Sequence, residues 1–170
     1  MSDEILFVSN KCEAAVGAIA DASRILFSQR MDNERADLSL SLEQLTGRDA
    51  GDPDDAPTHM VQTIIRSWKK PLDRLSNEEI GRLVVQHDGY PYVLDLVWPK
   101  LENDPLFEGG YYPGDVLSNL VRAGPEIWAD RPEYKARLEG LYRRALERPF
   151  DENEAFRESL DLPGPEASPN

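Results

Sequence analysis

Few side chains in this 170-residue chain are equipped for bond-making chemistry. The histidines are His59 and His87, and Cys12 is the only cysteine. His59 follows a loop and opens a helical stretch, and His87 closes another. Neither has a partner at ligand or proton-relay spacing, so each reads as a surface or helix-end histidine. His87 and Asp88 are adjacent, and adjacent residues on a helix face different sides, which argues against a base with its orienter. Cys12 falls on an apolar stripe, where a buried thiol is the default. Asp49, Asp52, Asp54 and Asp55 invite a calcium reading. An EF-hand loop alternates its ligands, places Gly at mid-loop and closes on Glu. Here Pro53 interrupts an irregular spacing, which reads as a solvated acidic loop. Gly-x-Ser-x-Gly, Walker and dinucleotide fingerprints are absent. Paired carboxylates for glycoside chemistry are defined by separation in space, and nothing singles out a pair. The expectation is a protein that is not an enzyme, with no catalytic residue, no cofactor and no metal.

Composition points the same way. Hydrophobic residues make up 40% and charged residues 30%, which suits a soluble globular domain. No apolar run approaches the roughly 20 residues that span a bilayer. The start, Met1-Ser2-Asp3-Glu4, is acidic where a secretory signal would be basic. A lone cysteine forms no internal disulfide. These features predict a cytoplasmic protein. The formal charge is -13, which disfavours nucleic-acid and anionic-membrane partners, because phosphate neutralisation needs clustered Lys and Arg. The same sign suits a basic protein partner, and it also serves solubility alone. Between Asp88 and Asn119 six acids (Asp88, Asp95, Glu102, Asp104, Glu108, Asp115) face one base, Lys100.

The elements that must position these groups read as helices. Cys12, Ala15, Val16, Ile19, Ala22 and Leu26 recur at spacings of three and four, predicting a helix over about 11–28; residues 5–8 fit strand or helix. Ser41 caps a short turn through Leu45, and 47–57 is a loop. Thr58 opens a helix with Val61, Ile64, Ile65 and Trp68 as a core stripe, stopped near Lys69 by Pro71. Ser76 and Glu79 form a capping box, followed by Ile80, Leu83, Val84 and His87 on one face, with Gly89 as the left-handed stop. Pro91 starts a helix carrying Val93, Leu94, Val97, Trp98 and Leu101, which Pro99 should kink or shorten. Gly109-Gly110 reads as a mobile joint. Helices then follow with Val116, Leu117, Leu120 and Val121, and with Tyr134, Leu138, Leu141, Tyr142, Ala145 and Leu146, the latter ended by Pro149. The prediction is all-α: a single domain of six to eight short helices over 1–148. The rest, 149–170, reads as an acidic, proline-containing tail with one short helix near 152–160 and disorder over its last eight or so residues.

Five blocks in order carry a family resemblance. They are Ser41-Leu42-Glu43-Gln44-Leu45-Thr46-Gly47; Trp68-Lys69-Lys70-Pro71-Leu72 with Leu75-Ser76-Asn77-Glu78-Glu79-Ile80; Gln86-His87-Asp88-Gly89-Tyr90-Pro91; Asn103-Asp104-Pro105-Leu106; and Tyr112-Pro113-Gly114-Asp115-Val116-Leu117. Over about 41–122 the chain resembles the immunity proteins of contact-dependent growth inhibition (CDI) systems, the CdiI family. Pro99 falls later than the helix proline associated with that family. The resemblance implies a cytoplasmic protein that binds the C-terminal toxin domain of a cognate surface-displayed effector (the CdiA C-terminal region), as a 1:1 heterodimer. Such domains are often basic nucleases, many acting on tRNA. An acidic surface would then occlude the toxin's active site in place of phosphates.

A contact surface needs acids and aromatics together, since Tyr and Trp anchor interfaces while rim charges steer. The segment from Asn103 to Asp115 holds both: Asp104, Phe107, Glu108, Tyr111, Tyr112 and Asp115. The opposing reading is that Tyr112 packs the fold and Asp115 caps a helix. Asp88 and Asp95 are second-rank candidates, as are Asp49, Asp52, Asp54 and Asp55. Two other classes remain open: an acidic adaptor or antitoxin for another basic protein, and a small hydrolase with a scattered carboxylate site.

Overall fold

Local capping decides where the helices begin. The computed structural model describes residues 35–164; the helix expected over 11–28, residues 5–8, Cys12 and the last six residues lie outside them. Helix α1 spans Leu42–Thr46. Ser41 Oγ accepts from the Gln44 N–H and Gln44 Oε1 accepts from the Ser41 N–H, at 3.3 and 2.9 Å, so the predicted cap is a full capping box. Helix α2 spans His59–Trp68 and is capped by Thr58 through the Val61 N–H. Helix α3 spans Asn77–Val85. Its predicted box is present, with Ser76 Oγ to the Glu79 N–H and the Glu79 carboxylate to the Ser76 N–H. Helix α4 spans Tyr92–Asn103, α5 Asp115–Arg122, α6 Pro132–Leu146 and α7 Phe150–Ser159. Short 3-10 turns cover Pro53–Asp55, Leu72–Arg74 and Pro125–Trp128. The described residues hold seven α-helices and no strand, an all-α architecture as predicted.

Helix α4 is the axis of the core. Val93, Leu94, Val97 and Leu101 are wholly buried, and Leu96 and Trp98 nearly so. It packs against α3, α6 and the Leu72–Arg74 turn, while α5 packs on α3, α6 and α7. Trp98 stacks on Tyr134 of α6 with ring centroids 4.5 Å apart, which fixes those two helices against each other. Of the two outcomes expected at Pro99, shortening does not occur; the helix runs on to Asn103. A mid-helix proline costs about 3 kcal/mol. Burying large aliphatic side chains returns about 1.5–3 kcal/mol each. Continuing the helix places Leu101 in the core and leaves Pro99 facing solvent.

Other boundaries also differ. Helix α3 stops at Val85, and it is His87, with φ 51°, that takes the left-handed position; His87 is exposed and does not share the buried face. Gly89, also left-handed at φ 73°, serves a close approach as well: a Cβ there would lie 2.7 Å from Leu42 Cδ1. The α2 stripe is only partly a core stripe. Trp68 is buried, Ile64 and Ile65 are half-buried, and Val61 is exposed. Nor does the core end at Arg148. Phe156 of α7 is fully buried. The Asn153 side-chain amide donates to the carbonyls of Ala145, Leu146 and Arg148, satisfying the end of α6. The first part of the expected tail is therefore structural.

Candidate partner-binding site

Of the six acids between Asp88 and Asn119, the fold uses most internally. Asp95 is 4% exposed. Its carboxylate accepts from Arg131 Nε and Nη2, the Tyr134 hydroxyl and the Ala36 N–H, at 2.9–3.0 Å. Asp115 is 1% exposed. Its Oδ1 accepts from the Gly109 N–H at 2.6 Å and the Val116 N–H, and its Oδ2 from the Tyr111 N–H at 3.0 Å. A carboxylate enclosed and saturated in this way cannot meet a partner, so Asp95 and Asp115 are corrected from contact candidates to supports of the fold. Asp88 is half-buried and accepts from Trp68 Nε1 at 2.8 Å. Asp104 is half-buried and caps the Leu106 N–H. Glu102 pairs with Arg137. Only Glu108 is exposed and makes no ion pair among the described residues.

The aromatic candidates divide similarly. Tyr112 is half-buried, with its hydroxyl 2.8 Å from Ser118 Oγ. Phe107 is half-buried beneath the Lys100 ammonium, 5.2 Å from the ring centroid. Tyr111 projects, at 57% exposure. The backbone that carries it is pinned, so the expected mobile joint is instead a packed turn. The Gly109 and Tyr111 N–H groups donate to the Asp115 carboxylate, and Gly109 lies against Gly81 of α3. A Cβ on Gly81 would fall 1.9 Å from the Gly109 carbonyl oxygen.

Tyr111 does not stand alone. With His59, Met60 and Thr63 of α2 and Arg82 and Gln86 of α3 it lines an open groove of about 240 Å³. The sequence reading missed Met60, which is 55% exposed; its apolar type beside the α2 stripe was the available signal. On the other flank of α2 the acidic loop folds back. Asp49 lines one hollow with Asp88, Ile64, Ile65 and Trp68, and a neighbouring one with Asp52 and Lys69. The Gly51 N–H and the Lys69 ammonium hold Asp49 below the ordinary carboxylate range. Asp54 lies 4.0 Å from Arg66, whereas Asp52 and Asp55 are exposed and make no ion pair among the described residues. The structure thus places Asp52, Asp54, Asp55 and Asp88 around one flank of α2, and Tyr111 at the other.

A further acidic surface was hidden in the expected tail. Asp151, Glu154 and Glu158 lie at i, i+3 and i+7 on the solvent side of α7, opposite Phe156. No three His, Cys, Asp or Glu among the described residues are grouped to hold a metal ion. None of the described helices is long and apolar enough to cross a membrane. The arrangement is one of surfaces rather than of a reacting centre: acidic ridges, and one groove with an apolar wall. The profile of the CDI immunity proteins matches residues 44–138, a span that takes in α2, α3, α4, α5 and the Tyr111 turn. No curated protein and no solved structure matches the chain significantly.

Proposed function

The chain belongs to the CDI immunity protein family, and from that premise we propose that it binds a cognate effector's toxin domain and blocks its active site with an acidic surface. The toxin in this reading is a basic nuclease, most concretely one acting on tRNA. The complex is a 1:1 heterodimer formed in the cytoplasm, and the chain itself contacts neither nucleic acid nor membrane and catalyses nothing. The observation that carries the reading is the state of the carboxylates. Internal partners take Asp95, Asp115, Asp88 and Asp104, and Asp52 accepts from the Asp54 N–H; among the candidate acids Asp55 and Glu108 stay exposed with no ion pair among the described residues, as do Asp151, Glu154 and Glu158 of α7. They belong to a chain of net charge -13. Unpaired surface carboxylates speed encounter with a basic partner, stand in for substrate phosphates and set the register of docking. A mismatched toxin is rejected where its own charges would be buried unpaired.

Growth tests this directly. Cells expressing the toxin domain encoded beside this chain should stop growing, and co-expression of the chain should restore growth and yield a co-purifying complex. Failure of both rescue and co-purification would remove the immunity reading and leave the adaptor reading in its place.

A further inference from the structure

We infer that the groove between α2 and α3, closed on one side by Tyr111, receives a single large apolar side chain of the toxin domain, presented among basic residues. The inference rests on the toxin-binding reading and adds its anchor point. Large apolar side chains are exposed at few described positions, and two of them, Met60 and Tyr111, line this groove. Val85, 37% exposed, precedes Gln86 of its wall. Met and Tyr supply adaptable and rigid apolar contact respectively, and both are enriched where proteins meet. Exposure here does not follow from a loose loop. The Tyr111 and Gly109 N–H groups are both fixed on Asp115, and Gly109 is packed on Gly81. A backbone held in place before binding gives up little freedom when a partner covers the side chain it carries.

Size and charge identify the occupant. About 240 Å³ falls below the roughly 300–1,000 Å³ of small-molecule pockets, and suits one inserted side chain. Arg82 in the wall is already paired with Glu78 at 3.4 Å. Glu78 packs against Gly110, where a Cβ would lie 2.8 Å from its Cγ, so Glu78 stands beside Tyr111. The residues lining the groove include no acid, so the charge that selects the occupant is that of the chain as a whole. A second copy would bring -13 against -13, and like charges oppose such a contact, whereas a basic domain gains from it.

The test is calorimetric titration of the full chain with the toxin domain encoded beside it. Tyr111→Ala and Met60→Ala should each weaken binding about tenfold, and the pair more, as truncated anchors do. The factor should be similar at low and high salt, because the lost contact is apolar. Gln86→Trp, which fills the groove without removing a packed group, should weaken binding as well and reads the groove independently of the deletions. Val61→Ala, exposed on α2 but outside the groove, should change affinity by less than about threefold. If wild type binds and the groove variants bind equally, or if Val61→Ala costs as much as they do, the groove is not the anchor point. If wild type does not bind, the toxin-binding reading itself falls.

Discussion

At Asp95 four hydrogen bonds from three residues converge on one buried carboxylate. Two of them come from the Arg131 guanidinium, whose pKa is raised first by the Asp95 hydrogen bond. Removing one member of a buried pair leaves the other charge uncompensated, at a cost of about 3–5 kcal/mol. Asp95→Asn should therefore lower the unfolding free energy by about that amount in urea denaturation. An unchanged value would mean the pair is dispensable. Tyr90 is the converse case. Its hydroxyl is buried with no hydrogen-bond partner among the described residues, and burial pushes its pKa up. Tyr90→Phe removes that unpaired group and should raise stability by about 1 kcal/mol; a loss in the same urea experiment would count against it. Neither environment was legible in the sequence. Asp95 and Arg131 are 36 residues apart, and a count of acids between 88 and 119 could not distinguish a buried, paired carboxylate from a free one. Glu108 and Asp95 look alike in that count and do opposite work.

Helix α3 is where local signals served best. Its capping box was readable because both partners sit three residues apart. Burial disfavours the charged form of Glu79, yet the Lys70 ammonium and the Ser76 N–H outweigh it and leave its pKa below the ordinary 4.5. A carboxylate lowered in the folded state takes up its proton more readily when unfolded. Its stabilisation is therefore complete above about pH 4.5 and is lost as pH falls through the lowered folded value. The melting-temperature gap between wild type and Glu79→Gln should accordingly shrink on acidification below that point; a gap independent of pH would contradict the assignment. Gly81 tests the Tyr111 turn. Helix propensity alone favours Ala over Gly by about 1 kcal/mol, but the added Cβ would meet the Gly109 carbonyl oxygen at 1.9 Å. Gly81→Ala should thus destabilise the fold by about 1–3 kcal/mol and weaken toxin binding together with it. A more stable protein would show that the contact yields easily. Periodicity failed at α2 for a related reason. It reports which face of a helix is apolar, and here it could not report that Val61 and Met60 are left uncovered. At α7 a run of acids disguised Phe156, the phenylalanine that ties the helix to the core.

For the whole molecule, charge and shape divide the work. The net charge of -13 gives long-range attraction to a basic domain, which salt screens. The groove at Tyr111 gives a short-range anchor that salt leaves alone. Fold class and family were readable from the punctuation of Pro, Gly and capping residues, since those act locally. The surface was not, because it depends on which carboxylates the fold consumes. The most direct test is calorimetric titration of the full chain with its neighbouring toxin domain at low and high ionic strength, repeated with Asp55→Lys and Glu108→Lys combined. The account predicts a one-to-one complex whose affinity falls steeply with salt in wild type and less steeply in the charge-reversed protein, with melting temperature unchanged. Absence of a complex, or the same affinity and salt dependence in both proteins, would contradict it.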